Sequence, residues 1–256
     1  MRRIAFANQK GGVGKTTCCV NLAAALAAVG KHILLIDSDP QANASIHLGV
    51  DVNTLKNSLY DVLVAGIPIE KVLIKNIREN LDCIPSSIDL SGAEVELANT
   101  VGRELILRNA IDTFASKNSY DFLLIDCPPS LGLISINSFC AVDEIFLAVQ
   151  TEFFALQGIS KLMEIVSLVK RRLNPALRIS GVIATMVDTR TNLSREVLQD
   201  LNNFFNERLF KTTIRNNVRL AEAPGFGKTI FEYDPLSHGA QDFKSLAEEI
   251  LSKNNP

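Results

Sequence analysis

Two lysines five residues apart bracket three glycines in the run Asn8-Gln9-Lys10-Gly11-Gly12-Val13-Gly14-Lys15-Thr16-Thr17. These residue types in this order suit the holding of a chain of phosphates. Successive backbone N–H groups of Gly11, Gly12, Val13 and Gly14 can curl around an anion. Lys15 is placed to reach β- and γ-phosphates, Thr17 to touch the same ligand, and the Thr16 hydroxyl to bind Mg²⁺. Three acids stand where they could complete such a site: Asp37 and Asp39 in Asp37-Ser38-Asp39-Pro40-Gln41, and Asp126 in Asp126-Cys127-Pro128-Pro129. An acid in the position of Asp126 holds the metal, often through a water. The usual phosphate-loop pattern, G-x-x-x-x-G-K-[ST], is not met, because its first glycine would fall on Gln9. Lys10 precedes the glycines instead.

Particular elements must carry these groups. Arg3-Ile4-Ala5-Phe6-Ala7 reads as a buried strand, and residues 16–29, rich in Ala and Leu, read as a helix with Gly30 as its C-cap. Strand, glycine loop and helix in that order set a helix N-terminus, with its unpaired N–H groups and partial positive charge, against the anion. The apolar runs at 32–37 and 120–126 each end in an acid and read as strands buried on both faces. Carboxylates at the carboxyl ends of such strands project into the crevice where α/β sheets bind ligands. Further strands are expected at 81–85, 144–149 and 179–187, and helices at 58–65, 90–99, 104–115, 156–173, 194–209 and 237–251. The fold expected is a single doubly wound α/β domain over residues 1–256, its sheet mostly parallel with helices on both faces.

The totals exclude several classes. No apolar run reaches the roughly 18 residues a membrane span needs. Five cysteines, Cys18, Cys19, Cys83, Cys127 and Cys140, show no C-x-x-C spacing, which argues against a disulfide framework or zinc site and for a reducing, cytoplasmic setting. Trp is absent, which argues against stacking on single-stranded nucleic acid. Net charge is −2, yet residues 161–228 carry twelve Lys/Arg against six Asp/Glu. Such asymmetry can present a basic face, although an ordinary solvated surface would look the same.

The loop resembles that of the deviant-Walker ATPases, the ParA/MinD/Soj group, which reads K-G-G-x-G-K-[ST]. The resemblance implies a P-loop NTPase fold, ATP and Mg²⁺ as ligands, and a nucleotide-sandwich homodimer in which Lys10 reaches the partner's ATP. Asp37-Ser38-Asp39-Pro40-Gln41 is similar to the group's D-x-D-P-Q, which implies that Asp39 positions the attacking water and that Asp37 lies nearest the metal and switch region. Ala42 stands where the group has glycine. The D-x-P-P at Asp126 is similar to its second switch, and residues 150–158 resemble its P-x-x-x-x-x-G segment.

Asp188-Thr189-Arg190-Thr191-Asn192-Leu193, and then residues 213–228, resemble the chromosomal ParA/Soj proteins. By that resemblance Arg190 and Arg219 line a face for non-specific double-stranded DNA, and Asn217 lies against the adenine. Arg215-Asn216 replaces the family's Pro-Arg, a departure at the base-side wall. Lys170-Arg171-Arg172 closes a helix, where cations complement the dipole, a sufficient structural reason for the cluster; contact with DNA is the alternative. The resemblance covers the whole chain and implies the short type, without an N-terminal helix-turn-helix. It implies an ATP-dependent switch for chromosome or plasmid partition, nucleoid-associated and reset by hydrolysis under a ParB-like partner. The rivals are a MinD-like membrane positioner, against which the acidic helix at 237–251 argues, a small-molecule ligase with a related loop, and a DNA-bound scaffold without turnover.

Overall fold

The apolar run at the start of the chain forms β1 (Arg2–Ala7), near the middle of a seven-stranded sheet. A computed structural model of the protein describes residues 1–152, 155 and 158–253. The other strands are β2 (Ile33–Asp37), β3 (Ile74–Arg78), β4 (Leu81–Ile84), β5 (Phe122–Asp126), β6 (Glu144–Gln150) and β7 (Arg178–Thr185), in the spatial order β3-β4-β2-β5-β1-β6-β7. Every pairing is parallel except that of β3 with β4. Phe6 of β1 and Asp37 of β2 both lie level with Asp126 of β5. The glycine loop and two of the three acids therefore leave the sheet side by side.

Alternation along the strands divides the core. Ile4 and Phe6 pack on one face of the sheet, Ala5 and Ala7 on the other, and the same split holds for Ile33/Leu35 against Leu34/Ile36. Helix α1 (Lys15–Ala28), which follows β1, packs into the first face. The chain after β2 forms α2 (Asn43–His47), α3 (Leu59–Leu63), α4 (Ala93–Glu96) and α5 (Ile106–Ala115). Helix α6 (Leu133–Ala141), which follows the neighbouring strand β5, packs into the second face. Adjacent strands whose helices leave to opposite faces open a crevice at their carboxyl ends. The chain is completed by α7 (Ile159–Arg172), α8 (Asn192–Phe205), α9 (Val218–Glu222), α10 (Ile230–Tyr233) and α11 (His238–Ser252).

The seven-stranded P-loop NTPase fold matches the expected doubly wound domain, with differences of detail. Residues 90–99 are not a helix but a 3₁₀ turn at Ile88–Gly92 and the four-residue α4. The helix expected at 194–209 ends at Phe205, where Asn206 turns to φ +50°. Val29, not Gly30, is the C-cap of α1; Gly30 follows it at φ +81°, the left-handed residue that closes many helices. The start of the helix expected at 156–173, and most of the segment resembling P-x-x-x-x-x-G, lie outside the described residues. β3 and α6 were not expected. β3 carries Lys75 and Asn76 at its centre, and α6 has Ser and Asn among its buried residues, so neither shows a clean period.

Candidate nucleotide site

The glycine loop is pinned at both ends. Asn8 Nδ2 donates to the Ala148 carbonyl at 2.7 Å, while its Oδ1 accepts from the Lys10 N–H at 3.0 Å. Thr185 Oγ1, at the end of β7, donates to the Val13 carbonyl at 2.8 Å, and Val13 itself is buried. Gly12 and Gly14 have φ of +74° and +86°, a region costly to residues with a Cβ. Nothing lies within 4 Å of where a Cβ on Gly11 or Gly12 would point, so the loop borders open space. Asn8 and Thr185 were not singled out in the sequence; an Asn just after a strand and a Thr at the end of a distant one are too common to signal this.

Lys15 Nζ reaches back and donates to the Lys10 carbonyl at 3.0 Å. Burial pushes its ammonium below the ordinary lysine value, an effect opposed by the Asp126 carboxylate. Lys10 points the other way and pairs with Glu152 at the surface. Thr16 Oγ1 donates to Asp126 Oδ2 at 2.6 Å. Asp126 is fully buried, and its Oδ1 accepts no hydrogen bond among the described residues. Burial, then the nearby Asp37 charge, raises the Asp126 carboxyl well above the usual range.

Asp37, also fully buried, accepts from the Ser45 N–H and Oγ at 2.8 and 2.7 Å and from the Asp39 N–H at 3.2 Å. Its pKa is pushed up to about 6 by burial, against those hydrogen bonds. Asp39 Oδ1 accepts from the Gln41 N–H at 2.9 Å. Both acids thus also brace the turn into α2. That turn is strained, because Ala42, at its N-cap, sits at φ +53°.

Lys15, Thr16, Thr17 and Asp39 meet in one cleft of about 420 Å³, lined also by Gly11, Gly12, Gly14, Gln41, Asn43, Ile46, His47, Pro129, Met186 and Pro224. Asp37 and Asp126 are fully buried and do not line it, and Lys10 and Val13 line a separate cavity of about 380 Å³. A smaller slot of about 120 Å³ adjoins it, between Gly14, Thr17, Cys18, Thr185 and Met186 on one side and residues 214–217, Leu220 and Ala221 on the other. Asn217 borders this slot, where its Oδ1 also caps α9 by accepting from the Arg219 N–H at 2.9 Å. A phosphate chain in the cleft and a flat base in the slot fit that partition. The orphaned Asp126 Oδ1, beside a hydroxyl already on Oδ2, suits a hard cation that takes oxygen ligands, such as Mg²⁺.

Arg190 and Arg219 lie away from the cleft and exposed. Arg190 grips Asp188 through Nε and Nη2 at 2.9 and 2.8 Å. Arg219 pairs with Glu222 at 2.9 Å and approaches Asp234 at 3.5 Å. Neither is a bare cation. Among the described residues no helix is long and apolar enough to cross a membrane.

Comparison with known proteins agrees with this geometry. A family model described as an AAA domain matches residues 1–179. The sporulation initiation inhibitor protein Soj of Bacillus subtilis is 47% identical over 249 residues, covering 97% of this chain and 98% of that protein. The chromosome partitioning protein ParA of Caulobacter vibrioides is 44% identical, covering 99% of this chain and 95% of its own. Among solved structures, cobyrinic acid a,c-diamide synthase from Mycobacterium smegmatis, with bound ADP and magnesium, superposes with a TM-score of 0.86 at 31% identity, covering 100% of this chain and 97% of that one. Strand order, loop, acids and full-length likeness converge: the chain belongs to the ParA/Soj family of chromosome-partitioning ATPases.

Proposed function

We propose that the protein is an ATP-driven switch for chromosome or plasmid partition. In its ATP form it pairs with a second copy and holds double-stranded DNA without sequence preference, and hydrolysis stimulated by a ParB-like protein resets it. The observation that carries this reading is the convergence of Lys15, Thr16 and Asp39 on one cleft beside the buried Asp126. Gly11, Gly12, Val13 and Gly14 present main chain to the phosphates. Lys15 neutralises them from inside the loop, where burial lowers its pKa. Thr16 and Asp126, with Asp37 behind them, would hold Mg²⁺, which when bound neutralises charge on the β- and γ-phosphate oxygens. Asp39 orients the attacking water. Asn217 meets the base. Lys10, on the outer side of the loop, faces the second subunit's nucleotide.

Pairing explains the coupling to DNA. Arg190 and Arg219 give each subunit few phosphate contacts, and two linked faces gain by effective concentration. The test is DNA binding with no nucleotide, ADP, ATP and a slowly hydrolysed analogue, beside calorimetry with ATP and Mg²⁺ on wild type and Lys15→Ala. DNA retention only with ATP or the analogue, and loss of ATP binding in Lys15→Ala, are expected. Equal retention in all four states sinks the switch. The likeness to the synthase supplies a second reading, a small-molecule ligase. ATP turnover that is stimulated by DNA and a ParB-like partner, with no small acceptor present, separates the two.

A further inference from the structure

The wall of the slot is held from behind by one carboxylate. Residues 210–216 run along β7: Ile214 donates to Ala184 at 2.8 Å, and Asn216 donates to Val187 at 3.1 Å. In such a ladder alternate N–H groups point away. The Arg215 N–H does so, and donates to Asp242 Oδ2 at 2.9 Å. The guanidinium of the same residue folds onto the same carboxylate, with Nη2 to Oδ1 at 2.6 Å and Nε to Oδ1 and Oδ2 at 3.0 and 3.1 Å. Asp242 is buried on α11, with 7% exposure. Three donors of one residue thus meet one carboxylate, a charge-assisted and partly bidentate arrangement of the strong kind. A proline at position 215 would supply none of them.

We propose that Asp242 is a positioning residue for the base of the nucleotide: by gripping Arg215 it fixes the wall formed by Ile214, Asn216 and Asn217 against Met186 and Cys18. This rests on the reading of the cleft and slot given under Proposed function. Dispersion attraction supplies much of the hold on a flat ring, and a gap of roughly 0.5–1 Å forfeits a quarter to a half of each contact. The carboxylate therefore acts on the base and not on the phosphates, whose loop is pinned separately by Asn8 and Thr185. Asp242 also makes the departure at Arg215 intelligible. Where the family has a proline of fixed φ, this protein has an arginine whose main chain and side chain are both fixed by α11.

Calorimetry on the full chain with two probes, Mg²⁺-ATP and inorganic tripolyphosphate, tests this. Asp242→Ala is expected to weaken ATP about tenfold, the scale of a lost charge-assisted hydrogen bond, and to leave tripolyphosphate unchanged. Arg215→Pro costs β7 no hydrogen bond and should restore a fixed wall, so Asp242→Ala added to Arg215→Pro should cause no further loss. Asp242→Asn, which keeps shape and one acceptor, should lose less, and is read in the same way if the alanine variant does not fold. Equal losses for both probes, or an unchanged ATP affinity, overturn the proposal. A wild-type protein that holds tripolyphosphate yet gains nothing from the base overturns it too. A wild type that binds neither probe refutes the cleft itself and this proposal with it.

Discussion

Thr16 Oγ1 and Asp126 Oδ2 stand 2.6 Å apart across the gap between α1 and β5, and the hydroxyl is the one hydrogen-bond donor this buried carboxylate has among the described side chains. The pair holds the site's acid in place at a cost, since Asp37 lies close enough to raise its pKa further. Function and stability therefore oppose one another at this point.

Asp126→Asn should separate them. The amide keeps the Thr16 hydrogen bond and removes a buried charge. The nucleotide-free variant should melt about 2–4 °C higher, as a gain of about 1 kcal/mol gives in a chain of this size. Its hydrolysis should fall at least about tenfold, because the proposed metal ligand is lost. Scanning fluorimetry without nucleotide and a phosphate-release assay give the two readings, and a lower melting point would contradict the crowding argument.

Lys10→Ala should leave the single subunit almost unaltered. Its pair with Glu152 is half exposed on both sides, and such pairs contribute about 0–1 kcal/mol. ATP-dependent dimerisation should be lost, while ATP still binds the monomer. Light scattering with and without a slowly hydrolysed analogue checks this. A normal dimer in the variant would assign the bridging role to another residue.

The expected DNA face starts out partly neutralised. Arg219→Glu should weaken binding on unrelated duplexes alike, because phosphate contacts carry no base information. Glu222→Gln should act in the opposite sense by removing one of the two carboxylate charges beside Arg219, with a gain of about two- to threefold, a fraction of one phosphate contact. Anisotropy across a salt series with the ATP analogue measures both. If neither variant shifts affinity or salt slope, Lys170-Arg171-Arg172 at the end of α7 becomes the next candidate.

His47 should give the fold a measurable acid sensitivity. It is buried beside the cleft, with Arg78 and Glu232 near it, and burial lowers its pKa from 6.5 to about 4. The unfolded chain takes up this proton near pH 6.5 and the folded one near pH 4. Its contribution is therefore fully present above pH 6.5 and is lost as pH falls toward 4, by about 3 kcal/mol in all. Asp37 runs the other way over much of this window, so the quantity to measure is the difference between wild type and His47→Gln in urea unfolding at pH 7 and pH 4.5. A constant difference across that range would show that His47 protonates freely in the folded state.

The sequence was most legible where chemistry and periodicity coincided. Gly11 to Thr16 sat between a strand and a helix, and Asp37 and Asp126 each ended an apolar run, so their meeting at the carboxyl ends of neighbouring strands followed from parallel topology. The partners that make those residues work were less legible. Asn8, Ser45 and Thr185 act through a few hydrogen bonds set by tertiary position, and nothing local distinguishes them from other small polar residues. The basic segment showed a surplus of charge but not that Asp188 and Glu222 would fold back on its arginines. Arg215 stood out only as a departure. What replaced the missing proline lay 27 residues onward, on α11.

The place of β1 in the sheet has a consequence for the newborn chain. Its neighbours are β5 and β6, so Arg2 must wait for Phe122 and Ile4 for Glu144. A ribosome adding roughly 5–20 residues per second takes roughly 7–30 s to travel from the end of β1 to the end of β6. For that interval the phosphate loop exists as sequence without geometry, on an apolar strand with no sheet to join. A phosphate loop carried on β1 thus acquires its geometry only after β5 and β6 have been made.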